Sequence, residues 1–195
     1  MKKISLFIGI VFLSINTLFS QVEPAGEKEV GGFGSIITEM GVIDKQFSML
    51  VGGGGGVIVK NIRMGAFFEG LVNKVSILDI STTSQNRHRL KLSYGGLWVG
   101  YPLFKSHRFH ALADLKICFG STATQNSENV YSIENEHFLY GFIPYVGMEF
   151  FVTDFFTISA GIDYRFCLFP NRVENHKTTL LNMPSCRIAL QLGLF

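Results

Sequence analysis

Two successive stretches of the chain alternate strictly between apolar and polar side chains. From residue 156 to 168 every second side chain is apolar, and the intervening face carries Asp163 and Arg165. The stretch 138–150 has the same period, with Glu149 on its second face. A period of two is typical of a β-strand with one apolar and one polar face. Because only the short link 152–154 separates the two stretches, they are predicted to form a hairpin.

The same alternation predicts six further strands, which makes eight in all. Their ranges are 33–43, 47–60, 62–74, 90–103, 109–120 and 186–195. The run of five glycines at 52–56 falls inside the second strand. No Gly-Lys-Ser/Thr sequence and no helical pattern follows this run, so bending or close packing of a curved strand is favoured over a phosphate-binding loop. Pro102 and Pro144 each remove a ladder donor, and we expect a bulge or a rim position at each.

The connections between the predicted strands alternate in length. Those after the second, fourth and sixth strands are short, whereas 79–88, 121–137 and 170–185 are long polar loops. Only the first turn, at 44–46, is short where a long loop is expected. Transmembrane β-barrels have short periplasmic turns and longer outer loops. The predicted fold class is therefore all-β, an eight-stranded antiparallel up-and-down transmembrane β-barrel with both termini on the periplasmic side.

Alternation alone also fits a soluble lipocalin-like barrel, whose apolar face points inward. Glycine on the polar faces favours the membrane form, since a crowded lumen needs small residues. The charges on those faces also balance, which suits a packed interior where an unpaired charge is costly. This predicted lumen charge network has five acidic and five basic members: Glu39, Glu69, Asp114, Glu149, Asp163, Arg63, Lys91, Lys116, Arg165 and Arg187.

The fourth strand is predicted to place Lys91 in the lumen and Tyr94 and Trp98 on the outer, apolar face. Together with Tyr140 and Tyr164, these aromatic side chains are expected near the two membrane interfaces.

The N-terminus has the layout of a secretory signal peptide. A basic start, Met1–Lys3, precedes an apolar segment too short to span a bilayer. We expect a signal peptide at 1–20, a short leader at 21–30 and the barrel at 31–195, with the protein exported to the outer membrane. Charged residues make up only 16% of the chain, fewer than in an ordinary soluble domain.

Composition excludes several classes of function. The net charge of +2, without a basic stripe, gives no basis for nucleic-acid binding. Cys118, Cys167 and Cys186 have no metal-ligand spacing, so neither a metal site nor a cofactor is predicted. Cys167 and Cys186 flank the last loop but lie on faces of opposite character, which disfavours a disulfide between them.

With the strands placed, the sequence resembles the small eight-stranded outer-membrane β-barrel proteins of Gram-negative bacteria. More closely, it is similar to an uncharacterised "porin family" or outer-membrane β-barrel group. The resemblance covers almost the whole mature chain and is carried by GGFG at 31–34, LVGGGGG at 50–56, GLVN at 70–73, YGGLWVGY at 94–101 and FFTISAGIDYRF at 155–166. It implies a barrel in the outer membrane, and none of these motifs specifies a reaction or a functional residue. The terminal Phe195 resembles the C-terminal aromatic residue of substrates of the outer-membrane assembly machinery, which is therefore an expected partner.

The leading hypothesis is a non-enzymatic outer-membrane protein, expected to be a monomer, with a lumen filled by charge pairs. Eight strands leave an interior that side chains just fill. Basic loop residues are candidates for binding outer-membrane lipid or lipopolysaccharide: Arg87, Arg89, Arg172 and Lys177. The alternatives are a narrow channel or carrier for small solutes and a soluble periplasmic ligand-binding barrel. An enzyme would need a serine such as Ser185 beside a histidine such as His137, and no catalytic motif surrounds either residue.

Overall fold

The computed structural model describes residues 30–78, 87–105, 108–126, 133–169 and 181–194. These ranges contain nine β-strands. They are β1 (Val30–Ile43), β2 (Gln46–Val59), β3 (Ile62–Leu71), β4 (Val75–Leu78), β5 (Arg87–Lys105), β6 (Phe109–Asn126), β7 (Ile133–Thr153), β8 (Phe156–Leu168) and β9 (Met183–Gly193). The predicted signal peptide and nearly all of the leader lie outside the described residues.

In the described part of the chain, no helix has the length and apolar character needed to cross a membrane.

The strands form one closed antiparallel sheet. Their order is β3-β2-β1-β9-β8-β7-β6-β5-β4, and a further pairing of β3 with β5 closes the ring. Both β3 and β4 pair with β5, so they are two parts of one wall strand. The barrel therefore has eight walls, and the predicted eight-stranded up-and-down barrel is confirmed. Closure removes the unpaired strand edges that an open sheet would present.

The two ends of the barrel differ in their connections. At one end, here called the turn end, the short links 60–61, 106–108 and 154–155 join the strands, and β1 begins there. The opposite, loop end carries the links 79–86, 127–132 and 169–182 together with the tight turn at 44–45. In that turn Asp44 and Lys45 have φ angles of 47° and 62°, as in the hairpin turns that match strand twist.

Two of the predicted strand features require correction, a loop boundary and a bulge. The predicted loop 121–137 is mostly strand, because β6 continues to Asn126 and β7 begins at Ile133. The extension is mostly polar in sequence, so it shows no regular alternation although its backbone pairs. The ladder shifts register after Pro102, as expected, but β7 keeps one register with β8 on either side of Pro144. Pro144 therefore lies in a regular strand, and only local pairs with β8 are missing around it.

The glycine run lies within β2. An added Cβ at Gly54, for example, would come 2.7 Å from the carbonyl oxygen of Ala66 on β3. The run therefore permits close approach of neighbouring backbones, in line with the prediction for a curved strand.

The outer face of the barrel is a continuous apolar surface. Ile36, Leu97 and Ile162, on three different walls, are 62%, 65% and 61% exposed. Monomeric soluble proteins rarely expose contiguous apolar patches larger than a few hundred Å². Aromatic side chains lie toward both ends of this surface, with Phe138, Tyr140, Phe142, Tyr164 and Phe166 toward the loop end and Tyr101, Phe104, Phe109 and Phe155 toward the turn end. This distribution matches the apolar band and flanking girdles of a transmembrane barrel.

The orientation predicted for the wall strand around residue 94 is wrong. Tyr94 and Trp98 point into the barrel, with 1% and 8% exposure, and Lys91 lies exposed on the outside. Both faces of this stretch contain apolar residues, so alternation alone did not determine its direction. The outward face contains Leu97, Val99 and Tyr101 and becomes polar only near the loop end.

Candidate functional site

The interior of the barrel holds a network of charged side chains. Inward positions recur at every second residue of each wall. This spacing places Glu39, Glu69, Asp114, Lys116 and Arg165, from four different strands, within one lumen. Of the ten residues predicted for this network, the structure brings nine into the interior. They are Glu39, Arg63, Glu69, Asp114, Lys116, Glu149, Asp163, Arg165 and Arg187.

Glu39 is at the centre of the main cluster. Its carboxylate lies 2.9 Å from the Lys116 ammonium and 2.9 Å from the Arg165 guanidinium. Lys116 also pairs with the carboxylate of Glu69. The Tyr94 hydroxyl lies 3.0 Å from an oxygen of each glutamate. The two carboxylates are therefore held together by shared cationic and hydroxyl donors rather than by separate partners.

Arg187 extends this cluster to two aspartates. Its Nε lies 3.1 Å from Asp163 and 3.5 Å from Glu39, and its Nη1 lies 3.6 Å from Asp114. The Ser185 hydroxyl donates a hydrogen bond to Asp163. One guanidinium thus bridges three carboxylates, which come from β1, β6 and β8.

A second cluster lies at the turn end. The Nη2 atom of Arg63 donates hydrogen bonds of 2.8 and 2.7 Å to the two oxygens of Glu149. Thr157 donates a hydrogen bond to the same carboxylate, and His110 Nδ1 lies 3.8 Å from it. Glu149 is fully buried, whereas the His110 side chain keeps 19% exposure. The cluster therefore joins β3, β6, β7 and β8 across the turn end of the lumen.

Each of the four interior cations also contacts an aromatic ring. The Lys116 ammonium lies 4.6 Å from the Phe67 ring centroid. The corresponding guanidinium carbons lie over rings at 5.8 Å (Arg63 and Phe33), 5.0 Å (Arg165 and Tyr94) and 4.0 Å (Arg187 and Tyr145). A cation over an aromatic face gains more when it is desolvated, as these are. The interior thus provides a carboxylate on one side of each cation and a ring on another.

Toward the loop end the interior becomes mostly apolar, although Ser48, Thr122 and Thr124 are also buried there. Fully or almost fully buried side chains from several walls pack there above the charges: Ile43, Leu50, Val75, Leu90, Leu139 and Leu181. Ions crossing the lumen would have to pass this layer as well as the charge network. A mostly apolar layer is an unfavourable path for a hydrated ion.

Lys91 is the one predicted network residue that is not in the interior. Without it the network has five carboxylates and four permanent cations among the described residues. The predicted balance of five against five is therefore wrong for these groups. His110 lies beside Glu149 at the edge of this network.

The predicted surface-loop residues are placed only in part. Arg87 and Arg89 belong to β5 rather than to a loop, and Arg89 is half-buried. Arg172 and Lys177 lie outside the described residues. The strand extends beyond its apolar segment because β4 and β6 pair with it there.

Other candidate chemical groups are separated in the fold. Ser185 lies in the lumen and His137 on β7, where its backbone pairs with Thr122. Cys167 is buried and Cys186 exposed, and both are free thiols. Within the described ranges, no group of three or more His, Cys, Asp and Glu is placed to hold a metal ion.

Sequence reasoning missed the aromatic partners of the cations. Phe33, Phe67 and Tyr94 were not recognised as interior residues, although they share the inward phase of Glu39, Glu69 and their neighbours. Phe33 and Phe67 lie at even spacings from Glu39 and Glu69 on the same strands, and this spacing was an available signal. No such signal pairs a given ring with a given cation, because the partners lie on different strands.

Comparisons with known proteins identify the fold. No protein-family model and no curated protein matches the chain. Among solved structures, Neisserial surface protein A (NspA) is similar, with a TM-score of 0.54 and 12% identity over 87% of this chain and 99% of that one.

Two further structures are more distant. The attachment invasion locus protein Ail of Yersinia pestis has a TM-score of 0.47 and 10% identity over 85% of this chain and 97% of that one. The outer membrane protein OprG from Pseudomonas aeruginosa has a TM-score of 0.47 and 10% identity over 84% of this chain and 91% of that one. The likeness to NspA and the closed eight-walled sheet show that this chain has the fold of the small outer-membrane β-barrels.

Proposed function

We propose, from the premise that the chain folds as a small outer-membrane β-barrel, that it is a non-enzymatic component of the outer membrane with a closed lumen. Its role is then structural or exerted through its surface, and export depends on the signal peptide at 1–20. The observation that carries this proposal is the interior network of nine charged side chains, most of them fully buried.

Two properties of the interior support a closed lumen. Lys116, Arg165 and Arg187 are held by Glu39 and its neighbouring carboxylates from several strands at once, so moving one cation breaks contacts on more than one wall. The apolar layer at the loop end adds a second barrier to ions, made of apolar rather than charged side chains. Breaking a buried ion pair by removing one partner typically costs about 3–5 kcal/mol, which makes spontaneous opening rare.

The outer surface supports the membrane location rather than a soluble barrel. A soluble ligand-binding barrel needs an apolar interior and a polar exterior. Here the charges are inside, and apolar side chains such as Leu97 and Ile162 are outside.

Conductance of planar lipid bilayers tests the closed lumen. We expect no steady conductance from protein that, in the same preparation, migrates differently in electrophoresis when it is unboiled. That shift shows that the silent protein is a folded barrel. Steady conductance from the folded protein, altered by Arg187→Gln, would contradict the proposal and would indicate a narrow channel through the network.

A further inference from the structure

Two of the free cysteines lie on either side of a glycine inside the barrel. Gly141 on β7 pairs with Cys118 of β6 on one side and with Cys167 of β8 on the other. Both cysteines and the glycine are buried, on the inward faces of their strands. Gly96, the neighbour of Cys118 on β5, also lacks a side chain. In this row across four walls, only the two cysteines therefore carry side chains, and none lies between them.

This spacing is too wide for a disulfide. Neighbouring strands lie about 4.8 Å apart, so two spacings hold the Cα atoms about 9 Å apart, whereas a disulfide requires less than about 7 Å. The two thiol groups are nevertheless close enough to interact electrostatically. A metal ion bridges a wider gap than a disulfide does, because two metal–sulfur bonds of about 2.3 Å replace one sulfur–sulfur bond of about 2.05 Å. The pair is therefore better suited to holding an ion than to forming a disulfide.

A buried cation with unused donors lies beside the pair. Arg165 is on the same inward face as Cys167, two residues earlier on β8, and interacts electrostatically with both thiols. Its Nη2 atom bonds to Glu39, but its Nε and Nη1 atoms are buried without a hydrogen-bond partner among the described residues. Cationic neighbours stabilise thiolate sulfur. The charge of a sulfur atom that exchanged its proton for a metal ion would therefore be met by donors already in place.

The number of ligands selects the kind of ion. Both cysteines belong to the buried apolar cluster that also contains Leu139. In the described part of the chain, no third His, Cys, Asp or Glu joins them in a metal-binding group. Structural zinc takes four ligands, and calcium and magnesium take oxygen ligands. The soft ion Cu(I) prefers sulfur, and two thiolates in a line satisfy it.

We propose that Cys118 and Cys167 bind one Cu(I) ion between their sulfur atoms, inside the barrel and beside Arg165. Each thiol releases its proton to solvent and donates a sulfur lone pair to the copper. The copper stays in the +1 state, so the step needs neither an oxidant nor a reductant. The resulting bis-thiolate complex carries one negative charge, which faces the unused N–H groups of Arg165. The site does not depend on the closed lumen proposed above.

The test uses the protein folded from urea into detergent with Cu(I) present, so that the ion enters before the barrel closes. Copper that is retained against bathocuproine disulfonate, a chromogenic Cu(I) chelator, is then counted per folded barrel. We expect one ion in the parent protein. The matched control is Cys186→Ser, which removes the exposed thiol and should also retain one ion. Cys118→Ser and Cys167→Ser should each retain none, because a single sulfur ligand holds Cu(I) poorly against the chelator.

X-ray absorption at the copper edge gives a second measurement, made on Cys186→Ser, which keeps both interior thiols. It tests the site even where an interior variant does not fold. We expect two sulfur neighbours around the copper and no nitrogen or oxygen neighbour. Electrophoretic migration of unboiled protein identifies the folded fraction in every sample.

Three results would overturn the proposed site. One is a folded Cys186→Ser barrel that retains no copper. Another is copper retained equally by folded Cys118→Ser or Cys167→Ser, which would place the ion elsewhere in the protein. The third is a copper spectrum without two sulfur neighbours.

Discussion

At the scale of single residues, the Tyr145 side chain contacts the backbone of two strands and also a cation of the charge network. Its side chain lies over Gly147 on its own strand and over Gly161, which pairs with Gly147 on β8. The guanidinium carbon of Arg187 lies 4.0 Å from the centroid of the same ring. The Tyr145 ring therefore occupies the space that side chains at the two glycines would fill. The same ring packs against Arg187, the cation that bridges three carboxylates.

Replacing Gly147 by alanine should destabilise the barrel. The added Cβ would overlap the Tyr145 hydroxyl and lie 2.6 Å from the carbonyl oxygen of Ala160. We expect a loss of about 1–3 kcal/mol in the free energy of unfolding, measured by urea titration of protein folded in lipid vesicles.

The matched control for that substitution is Gly34→Ala. Gly34 faces outward, and the nearest atom to its added Cβ is 4.0 Å away. This variant should stay within about 0.5 kcal/mol of the parent protein. Equal stability of Gly147→Ala and the parent would show that the ring can move without cost, and would refute the packing described for Tyr145.

At the scale of strands, two side-chain amides supply hydrogen bonds between neighbouring strands at the break between β3 and β4. Asn73 Oδ1 accepts a 2.7 Å hydrogen bond from the Met49 N–H, and Asn73 Nδ2 donates one of 2.6 Å to the Phe47 carbonyl. Gln46 makes a similar pair with the backbone of Ser76, at 2.5 and 3.1 Å. These amides bond to the backbone of neighbouring strands as a peptide group would, so the wall stays connected across the break.

Asn73→Ala should loosen this part of the wall. Loss of two hydrogen bonds, worth about 1 kcal/mol each, should speed hydrogen exchange at the Met49 amide. Asn73→Asp is the conservative comparison, because it keeps an acceptor for Met49 and loses only the donor to Phe47. Unchanged exchange at Met49 in the alanine variant would mean that water or backbone pairing replaces the amide.

At the scale of the whole molecule, polarity is reversed relative to a soluble domain. Nine charged residues lie in the interior, and apolar side chains cover the outside. In a bilayer this arrangement leaves the lipid-facing surface apolar, and the closed sheet satisfies the backbone polar groups internally. The same arrangement in water would expose a large apolar surface.

Arginine substitutions at two different membrane depths on the outer surface test this arrangement. Leu97 and Leu103 lie on the same strand and are 65% and 64% exposed, but Leu103 is near the turn end. Leu97→Arg should cost about 2–4 kcal/mol in vesicles, whereas Leu103→Arg should cost about 1 kcal/mol or less. Urea unfolding in the same vesicles measures both values. A negligible cost at both positions would mean that neither side chain faces lipid, and would contradict a membrane-spanning outer face.

Several features of this protein were determined by its sequence alone. Strict alternation at 138–150 and 156–168 located the hairpin that became β7 and β8, and the alternating link lengths predicted the two ends of the barrel. These features are local, because a period of two follows from the pleat of one strand. For the same reason, alternation alone predicts that Asp163 and Arg165 face the lumen, without any information on strand pairing.

Only the tertiary structure decided how the faces and charges combine. Alternation separates the two faces of a strand but does not say which one is inside, and around Tyr94 both faces contain apolar residues. Pairing of β5 with β3 and β6 settled this, turning Tyr94 inward and Lys91 outward. The partners of Glu39 come from β6, β8 and β9, and their meeting depends on barrel closure. The sequence therefore determined the strands, because their pattern is local, and closure determined the network, because its contacts join residues far apart in the chain.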